Sequence, residues 1–308
     1  MAIPKTYTTS GSSPNLHSVY PQEWATKLQE RLNLPTNWKE VCNVIYTDTY
    51  AINSPYMSTS FSAQTGTRGC SYGFSEFTLT NVQLIINTFK IVPVFIDQAD
   101  LSQCKLANQM DFADRQGHLL NEAIEAAFLA DYGSLTDFDN GIVTSNASDN
   151  VGIVVSSSNV DNIIRALKRE IREANGQDLA DRNGIFIVWR ASDMEFLEEF
   201  AQANGFNLAD KALKEGVASG YHFMGVDHYF SNSHTAGHIV AGVKKIYQIG
   251  ILTATYGQIK IQQDPPSGIT TYGPVSGISV VSRADYGVKA PTGLVSLLFD
   301  IQVDSGGE

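Results

Sequence analysis

The sequence has little of what marks a disulfide-bonded, secreted or membrane protein. Its three cysteines, Cys42, Cys70 and Cys104, lie far apart and form no CxxC pair, so we expect free thiols in a reducing compartment. No apolar run approaches the roughly 18 residues that a membrane-spanning helix needs. Residues 1–21 are polar and lack the apolar core of a secretory signal. These absences predict a protein that is made and used in a cytoplasm, with no membrane partner.

The sequence is also poor in basic charge. It has 21 Lys and Arg against 32 Asp and Glu, which gives a net charge of −11. Because phosphate contacts need clustered Lys and Arg, the bulk of the surface does not suit a nucleic-acid reader. Lys168, Arg169 and Arg172 form one basic stripe, for which two interpretations stay open. The stripe is either a solvent face balanced by Glu170 and Glu173, or a contact with a neighbouring subunit or DNA.

Signatures of catalysis are scarce as well. The sequence has no GxGxxG, no P-loop lysine and no HExxH. His228, His234 and His238 come closest to a site, because spacings of six and four residues could place them around one metal ion beside Asp227. The segment resembles a strand that runs into a Gly- and Ser-rich turn, so we favour a solvated loop. We predict no catalytic, cofactor-binding or metal-binding residue.

The first half of the chain contains an arm, two strand regions and a long loop. Residues 1–21 read as an extended arm, and residues 22–34 as a short amphipathic helix that carries Trp24. Strands are predicted at residues 44–46 and 77–92. The loop between them, residues 54–75, is rich in Gly, Ser and aromatic side chains. Since a loop has no core of its own, these aromatics point to burial against another molecule.

A long helix is predicted near residues 100–132. Apolar residues recur there at helical spacing, at Leu101, Leu106, Met110, Ala113, Leu120, Ile124 and Phe128. Gly133 is expected to end the helix, in the position that favours glycine. Gly117 is its weak point, because glycine inside a helix costs about 1 kcal/mol relative to alanine.

The second half of the chain alternates helices and strands before it returns to strands. The patterns predict helices at 160–174, from 192 to before Gly205, and at 207–215, and a buried strand at 184–189. Residues 246–261 and 275–303 read as further strands, of which the last returns to pair with earlier ones. Residues 152–262 therefore form a candidate second subdomain of α/β character.

The order of these elements resembles the major capsid protein of tailed bacteriophages, with the Hong Kong 97-type fold. The likeness is carried by the helix at residues 109–132, the loop at 54–75, and a glycine turn, short strand and Ser/Asn turn at 216–232. The resemblance implies an α+β fold with a long spine helix, a β-rich peripheral domain, an inserted α/β axial domain, an N-terminal arm and an extended loop.

The resemblance also implies how these domains divide the chain. The N-terminal arm with its short helix takes residues 1–43, and the extended β-hairpin loop takes 44–92. The peripheral domain with the spine helix is formed by 93–151 and 263–308. The axial domain is the insertion at 152–262.

The function implied is structural and not enzymatic. Pentamers and hexamers of the chain would form an icosahedral shell around double-stranded phage DNA, bound without sequence specificity. Portal, scaffolding or decoration proteins would be partners, and the location would be the virion, assembled in the host cytoplasm. Candidate contacts between subunits are Tyr56, Phe61, Arg68, Tyr72, Phe74 and Trp24. An encapsulin-like nanocompartment shell and a soluble α/β enzyme are the alternatives.

Overall fold

The computed structural model describes residues 36–57, 63, 65–66, 68–69, 78–97, 109–146, 148–204, 221–263 and 277–304. The predictions for the arm and helix of residues 1–34, for the 207–215 helix, and for Cys70 and Cys104 lie outside these residues. The described part of the predicted 54–75 loop is limited to its first strand residues and a few positions beyond.

The described elements are six α-helices, two 3-10 turns and thirteen strands. The helices are α1 Trp38–Val41, α2 Gln109–Ala130, α3 Asn140–Thr144, α4 Val160–Glu173, α5 Gln177–Asn183 and α6 Ala191–Ala203; the 3-10 turns are Asp131–Ser134 and Thr292–Leu297. The strands are β1 Asn43–Thr47, β2 Ala51–Met57, β3 Leu79–Ile85, β4 Thr88–Asp97, β5 Thr136–Phe138, β6 Ile185–Trp189, β7 Tyr221–Phe223, β8 Val226–Phe230, β9 His238–Val243, β10 Gln248–Leu252, β11 Ile259–Gln263, β12 Gly277–Lys289 and β13 Leu298–Gln302.

The chain divides into two compact units. The described residues of Pro93–Gln116 and Ile259–Val281 belong to the smaller unit, and those of Leu32–Val92, Gly117–Gln258 and Ser282–Glu308 to the larger. In the smaller unit the side-chain amide of Gln116 donates a buried hydrogen bond of 2.9 Å to the carbonyl of Val280.

A five-stranded sheet has the order β1-β10-β12-β11, and β4 also pairs with β12. Strands β1 and β10 are parallel, whereas β10 and β12 are antiparallel. Within the larger unit, helix α2 covers one face of this sheet. The hydroxyl of Tyr286 donates to the carbonyl of Ala123 at 3.2 Å, and the rings of Phe128 and Tyr247 meet edge to face at 4.9 Å. The 246–261 strands and the returning pairing of the 275–303 region are thereby confirmed.

A six-stranded sheet has the order β5-β13-β9-β6-β8-β7. Its central strand β6 is buried at every position, which confirms the buried strand expected at 184–189. Helix α4 buries the row expected of it, Ile163, Ile164, Leu167 and Ile171. Strong amphipathicity in a surface helix and a continuous apolar run in a central strand are the patterns that this packing requires.

The long helix is present as α2, and its apolar face is the expected one. Leu120, Ile124 and Phe128 are all buried. The expected end at Gly133 is wrong, because the α-helix ends at Ala130 and continues as a 3-10 turn. The carboxylate of Asp131 accepts hydrogen bonds from the hydroxyls of Ser134 at 2.7 Å and Tyr247 at 2.5 Å. These bonds tighten the last turn before the glycine is reached.

Gly117 lies inside the continuous helix, and a β-carbon added there would have no neighbour within 4 Å. Replacing Gly117 by Ala should therefore raise the free energy of unfolding by about 0.5–1 kcal/mol, since alanine loses less backbone entropy in a helix. Urea unfolding of the full chain measures the change. Gly287→Ala is the opposing control, because its β-carbon would lie 2.1 Å from the carbonyl oxygen of Ile85 and should destabilise the fold. A Gly117→Ala chain less stable than the parent would contradict this account.

Candidate intersubunit surface

Strands β2 and β3 form an antiparallel two-stranded ribbon in which Ala51 lies opposite Ile85 and Met57 opposite Leu79. The predicted loop was expected to begin at residue 54, but strand β2 continues to Met57. Pro55 is compatible with this because a ribbon has free edges, where a missing N–H group is tolerated. A two-stranded ribbon is at best marginally stable alone. Contacts between its faces and the rest of the larger unit therefore hold it in place.

One face of the ribbon packs on the body of the larger unit through glycines. A β-carbon added at Gly250 would lie 3.0 Å from Cδ2 of Leu84 and 3.2 Å from Cδ1 of Ile52, and one added at Gly287 would meet the Ile85 carbonyl. Only glycine leaves room for so close an approach of backbone and side chains. The ammonium group of Lys289 adds a hydrogen bond of 2.9 Å to the carbonyl of Gln83.

Tyr56 belongs to this inward face. Its ring is the neighbour of Gly293, where an added β-carbon would lie 3.0 Å from Cδ2 of the tyrosine. Tyr56 is half-buried. Its aromatic surface is thus already in part covered by its own chain, which leaves a limited area for a contact with a neighbour.

Exposed apolar side chains lie just before β2, at the end of β3 and at the start of β4. Tyr50, Ile85, Phe89 and Ile91 are between 51 and 55 % exposed, and the rings of Tyr50 and Phe89 meet at 6.4 Å. Phe89 and Ile91 share one side of β4 because alternate residues of a strand point the same way. We call these four residues the outer apolar patch. Large exposed apolar patches on soluble proteins mark interaction sites.

The outer apolar patch is bordered by a neutralised ion pair. The guanidinium of Arg283 lies 5.5 Å from the ring centroid of Phe89, and its two nitrogens contact the carboxylate of Asp285 at 2.5 and 2.6 Å. The carboxylate side chain is fully buried, whereas the guanidinium is partly exposed. A bidentate pair of this kind holds the arginine in one geometry, and it leaves the border of the patch with little net charge.

The structure describes two of the six contact residues that the sequence suggested. Of the candidate contacts, Tyr56 lies on the ribbon and Arg68 is exposed in a turn, whereas Phe61, Tyr72, Phe74 and Trp24 lie outside the described residues. The patch itself was missed. A signal existed, since Val82, Leu84 and Ile86 already supply an inward row, so an apolar Ile85 between them had to point outward.

Residues 69–73 read Gly-Cys-Ser-Tyr-Gly, which has the GxSxG spacing of a nucleophile elbow. Such an elbow needs a helix directly after the serine. Residues 70–77 lie outside the part of the chain that the structure describes, so the pattern is a spacing in the sequence alone and no site is assigned to it.

The solvated loop expected for the histidines is wrong for His228, which is buried in a strand, and for His234, whose ring nitrogens are buried. His228 lies on β8 and is fully buried. Its Nδ1 accepts a hydrogen bond from the indole of Trp189 at 2.9 Å, which leaves Nε2 to donate to the carbonyl of Phe223 at 3.2 Å. Burial lowers the pKa of His228 to about 4, so the ring is a neutral part of the core.

The other two histidines have separate roles. Burial, followed by the nearby charge of Arg190, lowers the pKa of His234 to about 4. His238 contacts the carboxylate of Asp300 at 2.8 Å and stacks on Tyr132 at a centroid distance of 3.7 Å. Within the described residues, no three His, Cys, Asp or Glu side chains are grouped to hold a metal ion.

The basic stripe of α4 bonds to its own chain. Lys168 donates to the carbonyl of Met224 at 2.6 Å. Arg169 donates to Ser145 at 3.1 Å and pairs with Glu170 at 3.1 Å, and Arg172 donates to Gln177 at 3.2 Å. This geometry favours the solvent-face interpretation over a contact with DNA, because the cations are already occupied.

No helix in the described part of the chain is both long enough and apolar enough to cross a membrane. No family model and no curated protein sequence matches the chain. Its fold, in contrast, matches 150 chains of solved structures.

Three of these structures illustrate the likeness. A chain of Mycobacterium phage Che8 has a TM-score of 0.64 and 14% identity, with 91% of this chain and 96% of that chain covered. The capsid structure of cyanophage P-SCSP1u gives a TM-score of 0.59 and 10% identity, with 96% and 97% covered. The capsid of a native GTA particle, computed with C5 symmetry, gives 0.61 and 13%, with 94% and 96% covered.

The chain therefore has the fold of phage capsid proteins over most of its length. Identities this low establish the fold alone. The resemblance stated from the sequence is confirmed at the level of the fold.

The ribbon offers a direct test of its own attachment. Leu84 is 1 % exposed and packs at Gly250, so Leu84→Ala should lower the free energy of unfolding by about 2–4 kcal/mol. Leu79→Ala, on the exposed face of the same strand, should change it by less than about 0.5 kcal/mol. Denaturant unfolding of both full-length variants makes the comparison, and equal losses would show that the ribbon is not anchored through its inward face.

Proposed function

We propose that the chain is a major capsid protein with the Hong Kong 97-type fold. Copies assemble as pentamers and hexamers into an icosahedral shell that encloses double-stranded DNA. The observation that carries the proposal is the match of nearly the whole chain to capsid structures, including one of a particle with C5 symmetry. The role is structural, and the protein has no catalytic activity.

The exposed surface is consistent with assembly. A chain of net charge −11 repels its own copies at long range, so contacts between copies need apolar, weakly charged areas. The outer apolar patch is such an area. Contacts between unlike surfaces of identical subunits close into rings when the rotation fits, and the patch supplies one of the two surfaces.

The finer parts of the proposal follow the sequence-based domains. Helix α2 acts as the spine, the ribbon and the loop beyond it reach a neighbour, and residues 152–262 gather at the symmetry axes. Packaged DNA is bound without sequence specificity. Portal, scaffolding or decoration proteins are further partners, and assembly takes place in the host cytoplasm.

Purified full-length protein tests the proposal by size. Native mass measurement and electron microscopy should show closed shells, or at least pentamers and hexamers. A monodisperse monomer or dimer under assembly conditions would overturn it. Nuclease-resistant DNA inside the particles distinguishes a viral capsid from a nanocompartment that encloses a protein cargo.

The outer apolar patch gives a sharper prediction. Phe89→Ser combined with Ile91→Ser should reduce particle yield at least about tenfold, because a buried contact of two large apolar side chains contributes about 3 kcal/mol or more. The unfolding free energy of the unassembled chain should change little, since both residues are half exposed. Particle yield is measured by sedimentation and microscopy.

Val154→Ser serves as the matched control. Val154 is 56 % exposed and lies outside the patch, so replacing an exposed apolar side chain there with serine should leave assembly intact. Normal assembly of the patch variant, or equal loss in the control, would contradict the assignment of the patch.

A further inference from the structure

Glu125 is a carboxylate with no exposed surface in the middle of helix α2. A buried carboxyl group is costly unless hydrogen bonds replace its hydration. Its neighbours on the helix, Ile124 and Phe128, are core residues. A charged residue type at such a position needs an explanation that packing alone does not give.

The contacts of Glu125 lie far away along the chain. Its Oε2 accepts hydrogen bonds from the backbone amides of Asn37 at 3.1 Å and Trp38 at 2.8 Å. The side chain of Asn37 donates to the carbonyl of Phe230 at 2.9 Å, and the hydroxyl of Ser231 lies beside the carboxyl group of Glu125, where it favours the ionised form. The carboxyl group thus joins the start of α1 to α2 and to the end of β8.

The other end of α1 is held by a cation. The ammonium of Lys245 donates to the carbonyls of Lys39 at 2.8 Å and Cys42 at 3.0 Å. Free amides at the start of a helix suit an acceptor, and free carbonyls at its end suit a donor. A four-residue helix is too short to be stable alone, so α1 depends on these two side chains and on the burial of Trp38.

We propose that Glu125 is a protonation-sensitive latch that fastens residues 37–42 to helix α2 and strand β8. The inference does not depend on shell assembly, because every contact in it lies within one copy of the chain.

The direction of the effect follows from the balance of forces on the carboxyl group. Burial raises the pKa of Glu125 from 4.5 to about 7, against the opposing effect of the hydrogen bonds from Trp38, Asn37 and Ser231. A raised pKa means that the closed state binds the proton more tightly than the open state does. The latch is therefore firmest at acidic pH, and it weakens as the pH rises through about 7.

Few other titratable groups face the carboxyl group. The thiol of Cys42 is one, and its pKa is raised by burial first and by the nearby Glu125 second. Lys245 acts on that thiol in the opposite sense and is bound to carbonyls at the far end of α1. Asn37 and Ser231 are polar but do not titrate in this range.

Cys42 is a built-in reporter of the latch, because its thiol is fully buried while α1 is docked. The test uses the full-length chain with Cys70→Ser and Cys104→Ser, labelled with dithiodipyridine between pH 5.5 and 8.5. The labelling rate of the parent is divided by that of Glu125→Gln at each pH, so that thiol ionisation cancels. With carboxyl pKa values of 4.5 and about 7 in the open and docked states, this ratio should rise roughly thirtyfold over the range.

Two further variants keep the test decisive. Glu122→Gln changes a partly exposed carboxylate one turn earlier on the same helix and should keep the parent's pH profile. Ser231→Ala removes a hydroxyl that favours the ionised form and so raises the docked-state pKa of Glu125 further. The labelling rate of Ser231→Ala divided by that of the parent, which does not need Glu125→Gln, should therefore rise above about pH 7. A flat ratio in either comparison would overturn the latch.

Discussion

The approach of the β2–β3 ribbon to Gly250 and Gly287 determines which apolar surfaces of the larger unit stay exposed. The ribbon buries one face against these glycines, with Leu84 and Ile52 as the anchoring side chains. A ribbon that is anchored on one face has to present its other face to solvent. The exposed Ile85 is the result. An exposed apolar side chain is therefore a consequence of how the ribbon is attached.

Charge limits how such a surface can be used. The net charge of −11 keeps copies apart at distances where screening is incomplete. Attraction then has to arise at short range from apolar contact. The buried Asp285 neutralises Arg283 at the edge of the outer apolar patch, and a neutral border lowers the desolvation cost of covering the patch. The structure thus combines a repulsive surface with one weakly charged apolar area.

Sequence periodicity was sufficient to predict which residues are buried where a single helix or strand packs against the hydrophobic core. The row Leu120, Ile124 and Phe128 and the apolar run of β6 predicted their own burial, because spacing alone identifies the inward side. Periodicity failed where a contact with a residue far along the chain determines the local structure. The α-helix ends before Gly133 because Asp131 accepts a hydrogen bond from Tyr247, and His228 is buried because Trp189 donates a hydrogen bond to it. Such partners are separated by 116 and 39 residues, and no local pattern contains them.

The same reasoning explains why the sequence did not predict the outer apolar patch. Aromatic content singled out Tyr56, but Gly293 covers the ring, and residue type does not reveal which side of a ribbon a side chain occupies. Glu125 is the extreme case, since its partners Asn37 and Trp38 are 88 and 87 positions away. A glutamate inside an apolar helical row conflicts with its surroundings, and conflicts of this kind concentrate where a protein has a function beyond stability. In this chain the conflict lies beside residues 37–42, so the docking of this short segment on helix α2 is tied to the protonation of one carboxyl group.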